Sequence, residues 1–216
     1  MEKENYLTTS NCQVKDLGRI YSDYFGYITD GFFVDVGAFD GISFSNTAGL
    51  VKAGWSGIMY EPVDEFYNMC VHNYKSYNSV KVIKTCIGNK VGTVSFTVAG
   101  TLSTYDKEQP KDKFWEGYYE DSWNMFSNIT TLDRSLEENF VQENFEVLSI
   151  DVEGSEKDVL EEFSVELWMP KMVIIEAQEL HPAESLRKNA KFINKYFSDV
   201  GYKKIYCDEI NNIYVL

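Results

Sequence analysis

The sequence predicts a doubly wound α/β domain, and three observations predict it. The short apolar runs FFVDV, GIMY, EVLSI and KMVII are too brief for helices and nearly continuous, so they read as buried strands. Between them lie stretches with apolar residues at helical spacing, which gives the strand, helix, strand rhythm of parallel crossovers. The length of 216 residues is that of one domain able to bury a full core.

Taken in order, Val14, Leu17, Ile20, Tyr21 and Tyr24 recur at helical spacing, so an N-terminal helix is expected over 14–28. Phe32 to Val36 is the first strand, Asn46 to Ala53 a helix, and Gly57 to Tyr60 a second strand closed by Glu61 and Pro62. A helix over Asp64 to Tyr74 leads to a third strand, Val80 to Ile87, with GTVSFTVAG alternating as a strand beside it. The rhythm then breaks over about 100–128, an insertion rich in rings and charges that reads as packed on the domain rather than as a second one. It returns with a strand at Glu146 to Ile150, a helix at Ser155 to Phe163, a strand at Lys171 to Ile175 and a helix at Pro182 to Phe197. Lys203 to Tyr206 and Ile213 to Leu216 flank the turn CDEINN and form a terminal antiparallel hairpin. The expectation is a single domain over residues 1–216.

Composition narrows the partners. No apolar run approaches the roughly 20 residues needed to span a bilayer. The first ten residues lack the basic start and apolar core of a secretory signal, so the expected compartment is cytoplasmic. Cys12, Cys70, Cys86 and Cys207 are too dispersed for a metal or disulfide motif and read as buried free thiols. A net charge of -14 opposes nucleic acids and anionic membranes by like-charge repulsion, and leaves a small-molecule or glycan partner.

The stretch FFVDVGAFDG carries the chemistry. A strand running into a glycine-marked turn and a helix start is the form of a nucleotide-binding loop. A tight bend alone accounts for the glycines but not for the acids. The dinucleotide fingerprint needs glycine at its middle position so that backbone can touch pyrophosphate, and here that position is Phe39. Asp35 and Asp40 would repel phosphates besides. S-adenosylmethionine fits instead: its sulfonium and ammonium are cationic, and its carboxylate can use the helix N-terminus. Glu61 follows the next strand, 26 residues after Asp35, where an acid accepts hydrogen bonds from ribose hydroxyls. No Walker loop, zinc helix or nucleophile elbow is present.

FFVDVGAFDGISFSNT with GWSGIMYEP, ITTLDRSL, and VLSIDVEGSEKDVL with VIIEAQ together resemble the signature blocks of FkbM-type S-adenosylmethionine-dependent methyltransferases, from Gly31 to about Glu179. The resemblance implies a Rossmann-like class I methyltransferase fold with strand order 3-2-1-4-5-7-6, and methyl transfer, usually to oxygen on sugars or natural products. It also implies that Asp35, Gly37 and Glu61 contact the cofactor. With their neighbours, the candidate cofactor residues are Asp35, Gly37, Asp40, Gly41, Asn46, Glu61, Pro62, Ile87 and Asp151.

The candidate catalytic residues are Asp151, Glu176 and His181. Asp151 and Glu153 follow a central strand, and Ser155 with Asp158 can cap the next helix. The acids either serve that helix start or face the acceptor. Asp151 and Glu176, at adjacent strand ends, could hold Mg2+ or Mn2+ through oxygen and so acidify an acceptor hydroxyl. His181 is the alternative as a direct base. The expected function is O-methylation of a sugar, glycan or related small molecule; another small-molecule or lipid acceptor, or a non-catalytic adenosyl-binding module, are the alternatives. Phe114, Trp115, Tyr118, Tyr119 and Trp123 in the insertion either form an acceptor lid or pack on one another.

Overall fold

The computed structural model describes residues 12–106, 117–181 and 184–216. Helix α1 (Leu17–Phe25) precedes strand β1 (Phe32–Val36), and α2 (Ala48–Lys52), β2 (Ser56–Tyr60), α3 (Asp64–Tyr74) and β3 (Val80–Ile83) follow. Next come β4 (Cys86–Ile87), β5 (Gly92–Val98), β6 (Trp123–Thr130), α4 (Leu132–Glu138), β7 (Val147–Ile150), α5 (Glu156–Glu161) and α6 (Val165–Trp168). The chain closes with β8 (Met172–Glu176), α7 (Glu184–Asp199), β9 (Lys203–Cys207) and β10 (Asn211–Val215).

Seven strands form one sheet in the order β3-β2-β1-β7-β8-β10-β9, the expected 3-2-1-4-5-7-6 when its strands are counted along the chain. The pairings among β3, β2, β1, β7 and β8 are parallel, and β10 runs antiparallel to both β8 and β9. Successive strand residues face opposite sides of the sheet, so each strand feeds two cores. Val34, Ile58, Leu148, Ile150, Val173 and Ile175 pack against α4 to α7, whereas Phe33, Met59, Val147, Met172, Ile174 and Ile213 pack against α1 to α3. Helices on both faces are why β7 and β8 are buried at every position.

The run Val80 to Ile87 is not one strand. It breaks after Ile83, whose carbonyl accepts from the amides of Glu61 and Thr85, and the chain turns off the sheet. Cys86–Ile87 then joins a second, three-stranded sheet of order β4-β6-β5. GTVSFTV therefore lies not beside the third strand but antiparallel to β6, which is the end of the segment read as an insertion. Val94, Phe96, Val98, Ile129 and Tyr105 bury one face of this sheet against Val63 and Phe66 of α3 and its approach. Helix α4 has no counterpart in the sequence reading; Thr131 caps it by accepting from Arg134 N at 3.4 Å. The N-terminal helix is shorter than expected because Gly26, at φ 67, ends it. Of the four thiols, Cys70 and Cys86 are buried but Cys207 is exposed. Among the described residues, no helix is long and apolar enough to cross a membrane.

The terminal hairpin turns on Asp208, whose Oδ1 accepts from Ile210 N at 2.8 Å and Asn211 N at 2.6 Å. Asp208→Ala leaves both amides without that partner at the entry to β10, and a loss of about 1 to 2 kcal/mol is expected. An unchanged urea midpoint would show that the turn does not need them.

Candidate cofactor and acceptor site

The site is built where β1 ends. Gly37 N and Ala38 N donate to Tyr60 O at 3.1 and 3.0 Å, and Asp151 N donates to Val36 O at 2.9 Å, so the loop after β1 is tied to β2 on one side and β7 on the other. Gly37 takes φ 91, and a Cβ there would lie 1.7 Å from Asp151 O. No side chain fits. Asp35 is buried at the end of this strand, with Thr47 Oγ1 donating to its Oδ2 at 2.5 Å. Burial, aided by the nearby Asp151 and opposed by hydrogen bonds from Thr47 and Ser149, pushes its carboxyl up to about 7.

Two pockets open at these strand ends. One, of about 490 Å3, is lined by Val36, Tyr60, Pro62, Phe66, Ile87 and Phe96, with Glu61 on its wall. Glu61 Oε2 accepts from Phe39 N at 2.9 Å and Oε1 from Val63 N at 2.8 Å, which fixes the carboxylate. Those bonds favour the ionised form, but burial outweighs them and raises Glu61 to about 8. Phe39 sits at φ 50 with its ring 4.4 Å from that of Phe66. The second pocket, of about 480 Å3, is lined by Gln13, Asp35, Ser43, Ser45, Asn46 and Ser149. Gly37, Thr101, Asp151 and Glu153 border both. An apolar slot with one fixed acid thus adjoins a polar one.

Asp40 and Gly41 fall outside both linings. Asp40 Oδ1 accepts from Ile42 N and Ser43 N at 2.8 and 2.7 Å, and its Oδ2 from Ser43 Oγ at 2.8 Å. Its carboxylate is spent on its own turn. Gly41 is small because Tyr74 and Cys70 press on it, with a Cβ meeting them at 2.5 and 2.8 Å. Both residues shape the loop rather than face the cavity.

At the ends of β7 and β8 three carboxylates converge. Oxygen atoms of Asp151, Glu153 and Glu176 lie within 4.8 Å of one another. Glu153, which the sequence places with Asp151 either at the helix start or facing the acceptor, takes φ 53 and joins the cluster. The helix start is served by neither Asp151 nor the expected Ser155 cap. Glu156 instead ties the turn leading into the helix, with Oε1 accepting from Val152 N at 3.2 Å and Gly154 N at 3.1 Å, and Ser155 makes no side-chain cap bond. Asp151 is left to the site, where Gln13 Nε2 donates to its Oδ2 at 2.7 Å while its Oδ1 is buried without a partner. Glu176 Oε2 is likewise unpartnered, and Gln178 Nε2 donates to Oε1. Burial first, then the neighbouring Glu153 and Asp151, holds the Glu176 carboxyl well above its usual range, and burial also raises Asp151. Glu179, in contrast, accepts from Lys204, Asn194 and Asn212 and is lowered to about 2. His181 lies beyond β8, its carbonyl accepting from Arg187 Nη1 at 2.8 Å, and lines neither pocket.

The sequence profile of the Methyltransferase FkbM domain matches residues 35–204. The chain belongs to the FkbM methyltransferase family. The structure of methyltransferase FkbM from Methylobacillus flagellatus KT is similar with TM-score 0.55 at 16% identity; 87% of this chain is covered, and the chain spans 44% of that protein. An O-methyltransferase from Bacillus cereus, solved in complex with SAH, is similar with TM-score 0.52 at 11% identity over 96% of this chain and 84% of that one. At such identities these likenesses speak to the fold alone. A search of curated proteins gives no sequence match.

In this FkbM-family chain the insertion is partly a brace. Tyr119 OH donates to Leu102 O at 2.8 Å, steadying the 3-10 turn Gly100–Leu102 that brings Thr101 and Ser103 to the pockets. Tyr118 and Trp123 are exposed and line neither pocket, and Phe114 and Trp115 lie outside the described residues. Gln13 and Thr101 are among the lining residues that sequence spacing does not reveal.

Asp35, Glu61 and Glu156, raised to about 7, 8 and 7, hold protons in the folded chain that the unfolded chain releases. Stability of the ligand-free protein should therefore fall as pH rises from about 4.5 to 8, with the cost complete above 8. Denaturation midpoints across that range test this, and Glu61→Gln should flatten the slope. A midpoint that climbs steadily from pH 5 to 8 contradicts the assignment.

Proposed function

We propose that the chain is an S-adenosylmethionine-dependent O-methyltransferase acting on a hydroxyl of a sugar, glycan or related small molecule. The observation that carries this reading is the pair of adjoining pockets at the ends of β1, β2 and β7, one apolar with Glu61 fixed on its wall, the other polar and bordered by Asp35 and Asp151. The first suits an adenine and ribose, with Pro62 and Ile87 against the base and Glu61 accepting from ribose hydroxyls. The second suits an amino acid, its ammonium near Asp35 and its carboxylate toward Ser45 and Asn46. The shared border at Gly37 and Asp151 is then where a sulfonium sits, and the cofactor supplies the methyl group there. A bound cation favours the ionised form of these buried acids, whereas pyrophosphate opposes it.

The acceptor hydroxyl needs activation at neutral pH, and Asp151, Glu153 and Glu176 are the groups beside it. Three carboxylates so close cannot all ionise in a buried site unless a cation joins them. The orphaned Oδ1 of Asp151 and Oε2 of Glu176 fit a hard divalent ion, and these three residues would hold it. Such an ion supplies a lowered hydroxyl pKa. Gln13, by donating to the other Asp151 oxygen, orients that carboxylate.

S-adenosylmethionine and its demethylated product should bind and NADH should not; Glu61→Ala should weaken the former by about 1 to 3 kcal/mol in calorimetric titration. Tight NADH binding sinks the cofactor assignment. EDTA should abolish turnover, Mg2+ or Mn2+ should restore it, and Asp151→Asn should cost turnover far more than cofactor affinity. Full turnover in EDTA together with its loss in His181→Ala would transfer the role to the histidine.

A further inference from the structure

A third cavity, an open groove of about 1170 Å3, lies between the outer edge of β5 and the start of α5. Tyr105 is the wall it shares with the apolar pocket, and Gly154 and Ser155 continue into it directly from Asp151 to Glu153. Ser155 lies four steps along the chain from Asp151, a reach of at most about 14 Å, so one extended ligand can span both.

The lining states what that ligand is. Thr97 exchanges backbone bonds with Thr104 at 2.8 and 2.9 Å, so N–H and C=O groups at Ser95 and Thr93, two and four residues earlier on the same edge, point the same way into the groove. Asn89 and Asn189 add amides able both to donate and to accept. Asn189 Oδ1 is buried without a hydrogen-bond partner, and the hydroxyl of Tyr105, a residue only 9% exposed, faces Asp158 and Ser155 on the groove wall. Lys90 and Lys157 are matched by Asp106 and Asp158, so the groove favours neither sign of charge. Val94 is the single aliphatic residue among its described lining residues, which offer no pockets for the alternating side chains of an added peptide strand. Mixed donors and acceptors, balanced charge and little apolar surface suit a neutral polyhydroxylated chain, each of whose hydroxyls both donates and accepts.

We infer that this groove binds a neutral oligosaccharide whose terminal hydroxyl reaches Asp151, Glu153 and Glu176. The inference rests on the methyltransferase reading above. It is tested by applying the full chain, loaded with S-adenosylhomocysteine, to a printed array of neutral oligosaccharides, anionic oligosaccharides and peptides. Neutral oligosaccharides should be retained in 150 mM and 500 mM NaCl alike, tenfold more weakly or worse by Ser95→Trp, which fills the groove from an exposed edge. Lys90→Ala removes a donor without adding bulk and should cost at least threefold. Both variants should keep S-adenosylhomocysteine affinity within twofold. Retention confined to anionic glycans or peptides, no retention by the loaded protein, or undiminished retention by both variants overturns the groove assignment and leaves the cofactor reading standing. Failure of the parent chain to bind S-adenosylhomocysteine removes the cofactor reading, and the groove assignment with it.

Discussion

Everything at the site depends on how closely the loop after β1 passes the end of β7. With hydrogen at Gly37 the backbone clears Asp151 O; with carbon it would overlap it. That clearance lets the amides of Gly37 and Ala38 reach Tyr60 O while Asp151 N reaches Val36 O, locking three parallel strands at one level. Asp35, Glu61 and Asp151 are thereby brought to a common rim. A wider loop would leave the same acids in place along the chain but scattered in space.

The chain carries 34 acidic residues, and the fold distinguishes among the buried ones by what it gives them to accept. Asp40 takes two amides and a hydroxyl, Glu156 two amides and the Asn189 side chain, and Glu61 two amides that still leave it facing a pocket. These are acids satisfied by backbone. Asp151 and Glu176 each keep a buried oxygen that no amide reaches, and their two raised carboxyls are left to each other. The contrast separates scaffold from chemistry more cleanly than burial alone, since Asp40 and Glu176 are both buried.

Much of the main sheet was legible because its strands are apolar runs with sharp ends: β1, and the helix Asp64–Tyr74 with both its boundaries, follow directly from the sequence. The order of the seven strands came from the resemblance of five sequence blocks, not from periodicity. The second sheet was missed because β4 is two residues long and its partners in β6, Ile129 and Thr130, lie 43 residues further on, a pairing that alternation cannot reveal. The site divides in the same way. Asp35 and Glu61 are marked by their place after a strand, whereas Gln13 enters through tertiary folding, 138 residues from Asp151. Asp40 misled because an acid in a ligand-binding loop and an acid that closes its own turn look alike in sequence; only the amides of Ile42 and Ser43 distinguish them.

The position of β1 also sets a schedule for synthesis. One of its edges pairs with β2 about twenty residues later, but the other waits for β7, where Phe33 meets Val147. At ribosomal rates of about 5–20 residues per second, that second edge stays open for roughly ten seconds after the first has closed. For that interval the nascent chain displays a bare, largely apolar strand edge to whatever is nearby. Synonymous codon changes that slow translation between β2 and β7 should therefore raise aggregation or chaperone demand without altering a single residue of the finished protein.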